Sequence, residues 1–91
     1  MLESGIQRKI IKWLESEGHY VARVIKAGKS GTPDLLVCVR GVFVALEVKR
    51  PKGGVVSKLQ KHHIEKIQKA GGLAGVVRSV ADVETILSSL E

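Results

Sequence analysis

The stretch Asp34-Leu-Leu-Val-Cys-Val-Arg-Gly-Val-Phe-Val-Ala-Leu-Glu-Val-Lys49 decides the fold. It holds two apolar runs, residues 34–39 and 42–49, with only Arg40 and Gly41 between them. Such runs, split by two residues, predict a β-hairpin with a very tight turn. A turn centred on 40 and 41 pairs positions that sum to 81, so Asp34 faces Glu47 on one side of the sheet. Opposed residues of an antiparallel pair have Cβ atoms roughly 4.5–5.5 Å apart. Lys49 lies two residues beyond Glu47 and points to the same face. Two carboxylates held together repel and need compensation. A hard divalent cation supplies it through carboxylate oxygens, and the Val48 carbonyl could add a ligand. Lys49 beside such an ion suits chemistry on a phosphate: binding it, orienting the attacking water or lowering that water's pKa. The plainer reading makes Asp34 the end of a turn after Pro33, and Glu47 and Lys49 the polar face of an edge strand. That reading leaves the opposed acids unexplained.

Working outward, Leu2, Ile6, Ile10, Trp13 and Leu14 recur at helical spacing and predict a first helix ending near Glu17, with Gly18 as C-cap. Residues 19–25 predict a first strand, and 26–33 (KAGKSGTP) a loop. Pro51 stops the third strand, and a Gly-Gly pair marks the following loop as mobile. Ser57-Lys58-Leu59-Gln60 matches a capping box and opens a second helix, with Leu59, His63, Ile67 and Ala70 on its apolar face. Gly71–Gly72 ends it. Residues 73–78 predict a fourth strand. Ser79 then caps a third helix that has Asp82 in its first turn and Val83, Ile86, Leu87 and Leu90 facing inward. The order αβββαβα predicts an α/β fold with a mixed four-stranded sheet flanked by helices, in one domain spanning residues 1–91.

Composition narrows the partners. Fifteen basic against nine acidic residues give a net charge of +6, which favours an anionic partner, nucleic acid first. With one Trp, one Tyr and one Phe, aromatics are too sparse to suggest a base-stacking platform. The single cysteine, Cys38, excludes an internal disulfide and reads as a buried small hydrophobe in a strand. No apolar run approaches the roughly 18 residues of a membrane helix, and no signal peptide is evident at the start, so an intracellular protein is expected. A domain of this size has a thin stability margin, for which dimerisation would help.

Gly31-Thr32-Pro33-Asp34, followed after twelve residues by Glu47-Val48-Lys49, resembles the PD-(D/E)XK nuclease signature. Glu3 and Gln7 in the first helix, Glu47-Val48-Lys49-Arg50-Pro51, Ser57-Lys58-Leu59-Gln60, and Gly71-Gly72 before Val76-Val77-Arg78-Ser79 make it similar to the VRR-NUC (virus-type replication-repair nuclease) family over nearly the whole chain. The resemblance implies a restriction-endonuclease-like αβββαβ core and Mg²⁺- or Mn²⁺-dependent hydrolysis of DNA phosphodiesters. In that reading Asp34 and Glu47 are metal ligands, Lys49 is catalytic, and Glu3 lies near the metal. It also implies a homodimer acting on Holliday or other branched junctions, in phage or prophage replication and repair.

Helix phase puts Glu3 between Ile10 and Leu14 and Gln7 beside Leu14, bordering the inward stripe. A first-turn acid is also ordinary helix chemistry. Gln60 has two candidate roles: reaching back to the Ser57 amide as part of the capping box, or, by the resemblance, joining the active site. Arg50, Lys52, Lys58 and Lys61 are candidate phosphate contacts, with Arg23, Lys26 and Lys29 a second strip. Any one of them is equally a solvated surface cation. Two rival readings stay open: a non-catalytic DNA-binding or interaction module on a nuclease scaffold, and a nuclease without junction preference.

Overall fold

The computed structural model describes residues 2–25 and 27–91; Lys26, one of the cations considered above, lies outside them. Its elements are α1 (Glu3–Ser16), β1 (Tyr20–Arg23), β2 (Leu35–Val39), β3 (Val42–Val48), α2 (Lys58–Lys69), β4 (Leu73–Val77) and α3 (Val80–Leu87), with a closing 3₁₀ turn at Ser88–Leu90. The predicted order holds. The strands form one mixed sheet in the order β1-β2-β3-β4. The pairs β1–β2 and β2–β3 are antiparallel and β3–β4 is parallel, as a crossover through α2 requires.

The hairpin has the expected register, Leu35 opposite Leu46 through Val39 opposite Val42. Arg40 and Gly41 both take positive φ, 49° and 83°, the signature of a type I′ turn whose twist matches the strands.

The two faces of the sheet differ. On one, Leu35, Val37, Val39, Val44, Leu46, Val48 and Val77 bury against Ile6, Ile10 and Leu14 of α1 and Val83 and Leu87 of α3. This is the main core. On the other, α2 lays Ile64 and Ile67 over Ala45 and Ala74. Small strand residues let that helix approach closely. The apolar face of α2 is rotated from the predicted one. Ile64 is its buried residue, while Leu59 is largely exposed on the flank. The inward stripe includes a polar residue, Gln60, which pattern reading treats as solvent-facing.

Helix α2 packs on β3 and β4, and its Ile64 cluster reaches no further than the half-buried Leu36 of β2, so among the described residues the far end of this face, at Tyr20 and Cys38, is open. That corrects the expectation for Cys38, which is exposed. It points to the face that α2 serves, beyond the reach of that helix.

Candidate active site

Asp34 sits one residue before β2, and Glu47 one residue before the end of β3. Continuing the ladder one step past Leu35 and Leu46 places them opposite one another. Leu46 and Val48 alternate into the main core, which turns Glu47 to the α2 side. There it is only 2% exposed.

Each acid has definite partners. The Val48 N–H donates to Asp34 Oδ2 at 2.9 Å. In this register position 33 would face Val48, but the Val48 N–H goes to the Asp34 side chain rather than the Pro33 carbonyl, and Pro33 has no N–H to give the Val48 carbonyl. The strand pairing thus stops at the site, and that carbonyl has no donor from Pro33. Glu47 Oε2 lies 3.6 Å from Lys49 Nζ. It also accepts from Gln60 Nε2 at 3.2 Å. Burial, then the neighbouring Asp34, push the Glu47 carboxyl up to about 7, against a smaller opposing pull from Lys49. One lysine therefore does not neutralise the pair.

Gln60 makes the capping-box contacts and a contact to Glu47 at once. Its Oε1 accepts from the Ser57 N–H at 2.9 Å while the Ser57 hydroxyl accepts from the Gln60 N–H at 3.1 Å. The capping box is complete, and the other end of the same amide holds Glu47. The start of α2 is thereby tied to the acid pair. Gly31 makes a second tie. At φ +82° it lies so close to the helix that an added Cβ would stand 2.7 Å from Leu59 Cγ and 3.1 Å from His63 Cδ2.

Glu3 stands half-buried in the first turn of α1. Ile6, one turn on, lines a groove with Pro51, Arg78, Ser79 and Val80, which places this end of α1 near the finish of β3. The partners of Asp34 and Glu47 are nevertheless Val48, Lys49 and Gln60, with neither Glu3 nor Gln7 among them. Among the described residues no three His, Cys, Asp or Glu side chains gather as a metal cluster, so Glu3 is not brought together with the two acids. Lys29, Arg50, Lys52, Lys58 and Lys61 are all exposed, in the loops and first turn that border the acids.

Sequence reading noted Arg78 only within the family motif and missed what it does. Its guanidinium donates to the Arg50 carbonyl at 2.6 Å and the Gly54 carbonyl at 3.1 Å, clamping the loop that follows Lys49. Gly54 packs under that clamp, where an added Cβ would stand 2.9 Å from Lys49 Cβ. An arginine at a strand end with paired glycines two dozen residues earlier carries no local signal of this.

The two acids and Val48 fit a hard divalent cation: oxygen donors only, one of them buried and short of counter-charge. No characterised protein matched by sequence. A solved structure described as a VRR_NUC domain is 30% identical, with a TM-score of 0.81 over 98% of this chain and 97% of that one. A VRR_NUC domain protein at 18% identity has a TM-score of 0.78 over 98% and 87%. Hjc from Archaeoglobus fulgidus, a Holliday junction resolvase, shares the fold at 23% identity, with a TM-score of 0.66 over 84% of this chain and 67% of that one. The VRR-NUC domain model matches residues 2–81. The chain therefore belongs to the VRR-NUC family of nuclease domains.

Proposed function

We propose that this domain is a metal-dependent DNA endonuclease that cuts branched DNA as a homodimer. The observation that carries the reading is the pair Asp34 and Glu47, opposed across the hairpin with Lys49 on the same face. A structural sheet gains nothing from burying a carboxylate beside another.

Asp34, Glu47 and the Val48 carbonyl would hold Mg²⁺ or Mn²⁺, which polarises a phosphate oxygen and acidifies water when bound. The chain's own residues supply the rest. Lys49 meets the negative charge that builds on the phosphate as water attacks. Gln60 holds Glu47 in place, and the Arg78 clamp keeps the backbone after Lys49 from drifting. Exposed Lys29, Arg50, Lys52, Lys58 and Lys61 would take flanking phosphates, which positions DNA without reading its sequence. Selectivity then comes from DNA shape. Glu3 would join the metal only through a shift of α1 on binding. A phage or prophage role in replication and repair is consistent with the family's name alone.

The test is cleavage of labelled four-way junction, flap, single-strand and linear duplex DNA with Mg²⁺, Mn²⁺ or chelator, beside Asp34→Ala and Lys49→Ala. Metal-dependent cutting of branched DNA, lost in both variants, is expected. Binding without cutting in either metal would make the domain a non-catalytic module. Equal cutting of duplex and junction would remove the junction preference. A monomer by sedimentation would remove the homodimer.

A further inference from the structure

The open end of the α2 face lies on the same side of the sheet as the acid pair, one row beyond the half-buried Leu36. Side chains of one strand parity share this face, so it reads in rows across the sheet. The first row holds Asp34 and Glu47. The next holds Ala22, Leu36, Ala45 and Ala74. In the row beyond, Tyr20 faces Cys38 and Cys38 faces Phe43. Two of the chain's three aromatics thus stand in one line, and both are open: Tyr20 is 71% exposed and Phe43 49%. Their strands are two spacings apart, about 10 Å, and their row lies about 13 Å along the sheet from the acids. The last turn of α2, with exposed Lys66 and Lys69, leads to Gly72, which packs against the Phe43 ring.

We propose that Tyr20 and Phe43, with Leu36 and Cys38 between and behind them, form a stacking platform for unpaired bases of the strand whose phosphate lies at Asp34 and Glu47. This rests on the nuclease reading of that site. Three features select this occupant. The row carries no charge, while cations flank it, which suits bases on the sheet and phosphates at its edges. It continues the face on which the scissile phosphate would sit, so a strand leaving the acids runs onto it. And it is small: two partly exposed rings offer on the order of 250 Å², well short of the roughly 800 Å² per side of a stable protein interface. The aromatic count in the sequence argued against such a platform. The register overrides the count, because two rings in one row are enough for two bases.

Bases inside a duplex are stacked on each other and offer no free face. The platform therefore engages only unpaired nucleotides, in flaps, splayed arms and single strands.

Fluorescence anisotropy in chelator tests this without cleavage, using labelled oligothymidylate, a flapped duplex and a blunt linear duplex. Tyr20→Ala and Phe43→Ala should each weaken oligothymidylate and flap binding by about 5- to 100-fold and leave blunt-duplex binding unchanged. Tyr20→Phe, which keeps the ring, should bind as the wild type. An oligothymidylate carrying iodouracil should photocrosslink to Tyr20 or Phe43. Unchanged single-strand binding in Tyr20→Ala and Phe43→Ala would overturn the platform. So would uniform loss on every DNA together with a shift from dimer to monomer in sedimentation, which would make the face a contact between copies. Cleavage with Mg²⁺ is scored separately. A protein that cuts nothing but keeps the aromatic dependence loses the nuclease reading alone.

Discussion

At the residue scale, the chemistry turns on the proton of Glu47. Its carboxyl is raised from 4.5 to about 7, first by burial and then by Asp34. Below pH 4.5 the folded and unfolded chains both hold this proton. Between about 4.5 and 7 the unfolded chain releases it and the folded chain keeps it, so the folded state loses ground as pH rises. Above 7 both are ionised and the full cost is present, about 3 kcal/mol. In chelator, thermal melting should fall across that window for the wild type relative to Glu47→Gln, which has no proton to lose there. A wild type whose melting temperature runs parallel to the variant's would show that Glu47 ionises freely. A bound divalent ion reverses the trend, because it needs the ionised acid. The Mg²⁺-induced rise in melting temperature should therefore grow towards pH 7 and above. Lys49 answers to a different measurement. Lys49→Ala should cut turnover by about 10²- to 10³-fold, as loss of a charge-stabilising group does, with DNA binding nearly intact. The opposition of Asp34 and Glu47 was legible because a two-residue turn leaves no freedom of register. The place of Glu3 was not, since helix phase sets a direction and leaves the distance to the site open.

At the element scale, α2 is held to the site by two short contacts, and each can be cut separately. Ser57→Ala removes the hydroxyl half of the capping box at a cost of about 1 kcal/mol, while Gln60 can still reach Glu47. Gln60→Glu keeps a capping-box residue but sets a third carboxylate against Glu47. In chelator it should destabilise more than Ser57→Ala, and Mg²⁺ should restore more of its stability. Equal Mg²⁺ effects in the two variants would mean that Gln60 serves only the helix. Gly31→Ala should be worse than either: it puts a side chain at positive φ, costing about 1–2 kcal/mol, and also drives a Cβ into Leu59. The capping box itself was plain in Ser57 and Gln60. The rotation of α2 was not, because an inward glutamine breaks the apolar periodicity from which helix faces are read. The pairing of β1 was likewise hidden: a long loop joins it to β2, and no turn fixes which residues meet. Tyr20 was passed over for that reason, whereas Cys38 was misplaced because α2 packs on β3 and β4 and leaves it uncovered.

At the scale of the whole molecule, the net charge of +6 says little until the fold distributes it. Lys52, Lys58 and Lys61 converge on the site end through the loop after β3 and the first turn of α2. Arg8 and Lys12 project from α1, which packs on the opposite face of the sheet. Composition counts these two groups alike; a phosphate backbone at the acids would not. Each phosphate neutralised releases counterions and contributes about 0.9 to the slope of log affinity against log salt on duplex DNA. Replacing Lys52, Lys58 and Lys61 together by Ala should therefore flatten that slope by about two to three, measured with a blunt duplex in chelator. Replacing Arg8 and Lys12 should leave it unchanged. If the two variants lose slope equally, the DNA does not lie across the acid pair, and the site end of the sheet is not where the backbone docks. If neither loses slope, the backbone docks on none of these five cations. The measurement does not depend on turnover, so it locates the DNA on the fold even for a variant that cannot cut.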